Sequence, residues 1–328
     1  MILKVVNSNR VGALFLAPLI AVIAFFISFK LQLPQLEIFT EDGMPLWNYV
    51  NRLLEGSTTL TIALGFTIAF VIGLIINRMT NKYLLFGKPT FLPAVLFVIL
   101  SSAFVEYQKV NPAWIFALFY VLALDRFFTA SMSENGAESC FNGALLYSIG
   151  TLFYGKGLLF APVLWFIMIG LRTFNLRTFL ASIIGLGLPY LILFFVPIEI
   201  SQQRDLYDLI VYNMFLNVSM KSFPIHLYIY FGFIGLVMLL SLISIVGKYS
   251  SKKLSTRNFY KIFIISVLFL FGLSLTRLFS VELIPVAAIG ASFMITHLLN
   301  NLKSPKVAGF IFYVLIVLTA VTQYFTHY

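Results

Sequence analysis

"FNGALLYSIGTLFYGKGLLFAPVLWFIMIGL", residues 141–171, is 31 residues long and uncharged apart from Lys156 at its centre. As one helix it would run about 46 Å at 1.5 Å per residue. That is too long for a hydrocarbon core about 30 Å thick unless steeply tilted, and it would hold a lysine at the midplane, where a charge is costly. A hairpin turning at "YGKG" (154–157) removes both problems, because Gly155 and Gly157 ease the turn. The first arm would be short, so a re-entrant helix stays open as the other reading.

The rest of the chain decides how the hairpin is counted. Hydropathy marks spans near 11–29, 59–76, 179–196, 227–246, 259–275, 281–299 and 307–325, with two shorter ones at 90–105 and 112–124. The first run lacks a small-x-small cleavage pattern and reads as a span, not a removable signal. With the hairpin as two spans, the total is about eleven. Cytoplasmic loops of membrane proteins carry the excess of Lys and Arg. An N-terminus in the cytoplasm makes 1–10, 77–89, 125–140, 172–178, 247–258 and 300–306 the inner segments. With their boundary residues these hold 15 of the 22 basic residues and three acids, while the outer segments hold seven basic residues and nine acids. Merging 141–171 into one span would throw Arg172, Arg177 and the basic cluster at 248–261 onto the acidic side. Eleven spans, with the N-terminus cytoplasmic and the C-terminus periplasmic, is the arrangement the charges favour.

Composition agrees with that class. Only 10% of the 328 residues are charged, 60% are hydrophobic and 17% aromatic, and the mean hydropathy is +0.98. A soluble domain carries about a quarter charged residues. The prediction is therefore an all-α, polytopic transmembrane bundle, 1–328 forming a single integral membrane domain in contact with membrane lipids. The net charge of +10 is dispersed over short loops, so topology accounts for it and no nucleic-acid partner is expected. Cys140 stands alone, and His226, His297 and His327 show no ligand spacing, so no metal site is readable. "YGKG" lacks the Gly-x-x-x-x-Gly-Lys pattern of a phosphate loop.

Polar chemistry is concentrated in the outer segments. In the first outer loop (30–57), "LEIFTEDGMPLWNYVNRLLEG" (36–56) sets Glu41 and Asp42 side by side, ahead of Leu46, Trp47, Val50, Leu53 and Leu54 at helical spacing. That spacing predicts a short amphipathic helix on the membrane surface with Trp47 at headgroup level. The loop 197–226 repeats the pattern, with Leu206, Leu209, Ile210 and Met214 opposite Arg204, Asp205 and Asp208. A very short loop, "LTRLFSVELIP" (275–285), puts Arg277 and Glu282 near the boundary. Two readings of these residues stand open. The acids either wet an outer loop, or act as general base and cation ligands. Arg277, with Lys156 or Arg204, either ends helices at the interface or binds a phosphate.

Two resemblances bear on the choice. The stretch 137–192, with Asn142-Gly143 opening a span, "LFY" (152–154), "LRTFNLRTF" (171–179) and "GLGLPY" (185–190), resembles a family of uncharacterised polytopic inner-membrane proteins of Bacteroidota, and "SNRVGALFLAPL" (8–19) fits it. That resemblance implies a bacterial cytoplasmic membrane. In layout the chain is also similar to the GT-C class of integral-membrane glycosyltransferases. "FTEDG" (39–43) stands where their acidic first external loop lies, and "TRLFSVELIPVAAIGAS" (276–292) resembles their Arg-containing entry into a late span. This likeness implies glycosyl transfer from a polyprenyl-phosphate sugar in envelope glycan assembly. Glu41 and Asp42 would be catalytic, a divalent cation is in play, and Arg277, Lys156 and Arg204 would bind phosphate. The large soluble C-terminal domain of many such enzymes is absent from this sequence. The alternatives are a non-enzymatic subunit holding partners in an envelope complex, and a transporter of a lipid or amphiphile.

Overall fold

The computed structural model describes residues 11–31, 43–54, 57–133, 135–195, 206–215, 225–248, 254–274 and 281–325. Among them it is all helix, with no strand. Six helices are long and apolar enough to cross a membrane: α3 (Thr58–Lys82), α5 (Pro112–Ala130), α8 (Leu176–Phe195), α10 (Ile225–Gly247), the segment Val281–Asn301 containing α12 (Ile284–Asn301), and α13 (Pro305–Phe325). Helices α1 (Val11–Leu31) and α11 (Leu254–Ser274) have 21 residues each. The helix α4 (Leu92–Ser101) has ten, about 15 Å of rise. Protein of this kind is a multi-pass helical membrane protein.

Burial explains who sits where. All ten residues of α4 are buried, as are nearly all of α12, so these two helices and α5 form the centre. On α8, α10 and α13 large apolar side chains such as Leu191, Phe195, Leu239, Ile243, Phe310 and Val317 point outward. Exposed apolar surface on that scale fits lipid, not water. One continuous core runs from Ala21 and Phe25 through Phe97, Trp114, Phe128 and Phe293 to Leu315.

Side-chain contacts also trace the chain's direction. Helices α3 and α5 run parallel, since Val110 N donates to Thr61 O at their first ends and Tyr83 Oη donates to Asp125 at their last. Helix α6 (Ala137–Thr151) lies antiparallel to α5, with Phe127 against Gly143 and Phe116 against Gly150. Helices α6 and α8 are parallel: Gly185 meets Phe141 and Ala144, Ser148 donates to Leu186 O, and Thr151 bonds Tyr190. A chain entering two parallel neighbours must travel back between them. The intervening 3-10 turn Gly155–Phe160 and α7 (Ala161–Leu171) therefore form the returning arm. One continuous helix over 141–171 is thereby excluded, the chain breaking at 152–154 where the "YGKG" begins.

Two ends of the bundle result. At one lie Thr61, Val110, Thr151 and Gly155. At the other lie Lys82, Asp125, Arg172 and the Lys248–Asn301 contact, with Lys82 Nζ 3.5 Å from Asp125. At the first end the unwound stretch from Ser102 to Asn111 keeps its backbone satisfied through side chains. Gln108 Nε2 donates to Ala24 O and Ser102 O, Gln323 Nε2 donates to the same two carbonyls, and Ser28 Oγ donates to Gln108. Non-helical backbone at depth is tolerated only with such partners.

Both outer segments contain a helix of ten residues: α2 (Pro45–Leu54) and α9 (Leu206–Phe215). The face assigned to α2 needs correction. Trp47 is wholly buried with Leu54, Val110 and Ile115, Asn51 is buried, and Leu53 is exposed. At 100° per residue, Leu54 lies about 20° from Trp47 and Asn51 about 40°, whereas Leu53 lies about 120° away. The indole thus enters the protein and does not sit among headgroups. On α9, Leu209 is fully buried, Ile210 and Met214 are half-buried and Asp208 is exposed.

Candidate functional site

A small cavity of about 30 Å³ opens at the first end of the bundle, lined by Gly43, Met44, Trp47, Pro112, Phe153, Tyr154, Gly155, Lys156, Asn213 and Glu282. That is space for a water or two. Its walls come from five places in the chain: the start of α2, the start of α5, the hairpin turn, α9, and the 3-10 turn Val281–Leu283 that leads into α12.

Each wall has a local cause. Pro112 opens α5 behind an Asn111 side chain that accepts from the backbone N–H of Ala113 and Trp114, satisfying donors that every helix start leaves orphaned. At the hairpin turn two close approaches require glycine. A Cβ on Gly155 would stand 2.6 Å from Asn213 Cβ, and one on Gly157 would stand 2.7 Å from the Phe116 ring. Tyr147 Oη anchors the turn by donating to Gly157 O at 2.6 Å. Helix α2 is tied to the hairpin by Leu46 N, which donates to Leu152 O.

The turn carries Lys156 inward. Its side chain is buried, 3% exposed as a residue, and Nζ lies 3.2 Å from Oε1 of Glu282, itself 4% exposed. Tyr154 Oη donates to the same Oε1 at 2.8 Å. One carboxylate oxygen thus receives an ammonium and a phenol together, a charge-assisted arrangement. Tyr107 stands close enough to feel the group. Burial foremost, then the charges of Glu282 and Glu106, push its phenol up to about 12. Because the folded protein holds this proton more tightly than the unfolded chain, the associated stability is full below about pH 10 and is lost as pH climbs towards 12. Phenolate absorbance in the intact protein minus that in Tyr107→Phe should therefore stay flat through pH 10 and rise only near 12. A difference band already developed at pH 10 would contradict the burial. Nearby Lys109 is 5% exposed, and burial lowers its affinity for a proton.

Of the residues singled out in the sequence, Lys156 is at the cavity. It does not act as a plain helix-end charge, since it belongs to a buried ion pair. Glu41, Asp42, Arg204 and Arg277 lie outside the described residues. In sequence, Gly43 directly follows Asp42, Glu282 comes five residues after Arg277, and Asn213 nine after Arg204. Glu282, Tyr154, Tyr107 and Asn213 were missed as site residues. A signal for the first existed: a lone Lys in "YGKG" and a lone Glu in "VELIP", each set in apolar sequence, require partners that neutralise them once buried. Among the described residues no group of three or more His, Cys, Asp or Glu side chains is placed to hold a metal. No protein-family model, curated protein or solved structure matches the chain.

Proposed function

We propose that this protein acts on a lipid-linked substrate at the end of the bundle where the hairpin turn, α2, α9 and the entry to α12 meet, and that the reaction is glycosyl transfer from a polyprenyl-phosphate sugar. The membrane is the bacterial cytoplasmic membrane and the reacting end faces away from the cytoplasm. All eleven apolar segments serve as crossings, the short α4 and the hairpin arms included; what supports that count is the alternation of contacts between the two ends described above. The observation carrying the reading is convergence. Lys156 lines the cavity directly, Gly43 and Glu282 bring in the segments that follow Asp42 and Arg277 by one and five residues, and Asn213 brings in the helix that follows Arg204.

In this reading Asp42 or Glu41 takes the proton from an acceptor hydroxyl, alone or with a divalent cation, as that oxygen bonds to the anomeric carbon. The bond from that carbon to the phosphate oxygen breaks, and polyprenyl phosphate leaves against Arg277, Arg204 and Lys156. In cells that depend on this protein, Glu41→Ala and Asp42→Ala should each lower one envelope glycan, read by mass spectrometry. For the base itself, transfer should fall by roughly 10²-fold or more. Unaltered glycans in both strains would rule out the transferase and leave a partner-holding subunit as the reading. The centre of the bundle, filled by Phe97, Trp114, Phe116, Phe128 and Phe293 with no exposure, weighs against transport of an amphiphile through it.

A further inference from the structure

We infer that Glu282 is an exchangeable internal anion. It occupies Lys156 while the site is empty, and the phosphate group of a polyprenyl-linked ligand takes its place when that ligand binds. The inference rests on the proposed reading of the site and adds to it the occupant that must leave.

Three features point this way. First, the oxygen at the centre of the pair is held by an ammonium at 3.2 Å and a phenol at 2.8 Å, a donor set that suits any oxyanion. Lysine acts on phosphate as a point charge with no demand for a planar partner, so a phosphate oxygen satisfies it as a carboxylate does. Second, the pair does not sit in solid packing. It lines open space, and the carboxylate together with the adjoining cavity makes room for a compact anion that the cavity alone does not. Third, Lys156 is held in place independently of Glu282. Lys156 is fixed by a turn whose glycines are pressed against Phe116 and Asn213 and whose carbonyl is held by Tyr147. Glu282 sits in the short 3-10 turn that leads into α12, and in the exchange it is the partner that moves. Met44, Trp47 and Phe153 on the cavity wall supply apolar surface beside the charge, the combination an anionic lipid headgroup and the start of its tail would meet.

The test uses the full-length protein in lipid nanodiscs and polyprenyl monophosphate as probe, with polyprenol and inorganic phosphate as the other two arms. Glu282 is labelled in the unmutated protein with a hydrophobic carbodiimide and quantified by peptide mass spectrometry. Its labelling should rise severalfold when polyprenyl phosphate is bound and stay unchanged with polyprenol. Glu282→Gln, which removes the competitor and keeps the shape, should bind polyprenyl phosphate roughly tenfold more tightly, since the site no longer pays for its own occupied state. The neutral double variant Lys156→Gln/Glu282→Gln should lose that binding. A rise produced equally by inorganic phosphate assigns the subsite to a free phosphate and still upholds the exchange. Polyprenyl phosphate that binds without changing the labelling of Glu282 overturns the exchange and leaves the site reading intact. Retention of no more polyprenyl phosphate than polyprenol by any form overturns both.

Discussion

Glu282→Ala should unfold far more easily than the unmutated protein, by about 3–5 kcal/mol. The cause is the ammonium left behind. Lys156 is 3% exposed, and a buried charge that loses its counter-ion keeps its desolvation cost without that attraction. Lys156→Met should cost a similar amount by stranding the carboxylate. The double variant Lys156→Met/Glu282→Leu should recover most of the loss, because a buried ion pair replaced whole by apolar side chains is often neutral. Denaturation in mild detergent, followed by tryptophan fluorescence, measures all three. Tyr154→Phe, which removes one hydrogen bond to a charged oxygen, should cost about 1.5 kcal/mol or somewhat more. If the double variant is as unstable as the two single losses added together, the residues are not coupled and the site loses its physical basis.

How much of this was legible beforehand differs between fold and site for a physical reason. Helix position and direction are local properties. A run of apolar residues broken by Gly155 and Gly157 had to turn, and Lys82, Arg172 and Lys248 fell at one end because charges gather in the loops between spans. The face of α2 was also local, but it was misread. Leu53 was grouped with Trp47 and Leu54 by kind, whereas the 100° step puts Asn51 on that face and turns Leu53 away from it. The partner of Lys156 was of another sort. Glu282 lies 126 positions away, and neither residue's surroundings in the sequence mention the other. Only the requirement that a buried lysine be neutralised links them, and it names a need without naming who meets it. For Asn213 and Tyr107 the sequence offered no such need. Asn213 lines the cavity because α9 packs there, and Tyr107 comes within reach of the Glu282 charge from the stretch before α5.

Small residues in the spans offer the sharpest separation of packing from chance, and Gly65→Ala should be among the most damaging single changes in the protein. A Cβ on Gly65 would stand 2.2 Å from the carbonyl oxygen of Gln108, 3.0 Å from Val110 N and 3.1 Å from Lys109 C. All three are backbone atoms, so no side chain can swing aside. The stretch 108–110 must retreat, pulling Val110 N from Thr61 O and loosening Gln108, which bonds Ser28, Ala24 and Ser102. Overpacking costs typically about 1–3 kcal/mol, and the loss of a buried hydrogen bond brings this case to about 3 kcal/mol or more. Gly73→Ala on the same helix is the control. Its Cβ would meet Ala94 O and Val98 at 3.9 Å, ordinary contact, so stability should hold or improve slightly, alanine being the better helix former. The same contrast recurs on α8. Gly185 meets Phe141 O at 2.6 Å while Gly187 has nothing within 4 Å, so only Gly185→Ala should lower the unfolding midpoint in detergent. Equal effects within either pair would mean that α3 and α8 do not approach their neighbours as closely as described. The hairpin argument, which takes its direction from the contact of Gly185 with Phe141 and Ala144, would then lose one of its three supports.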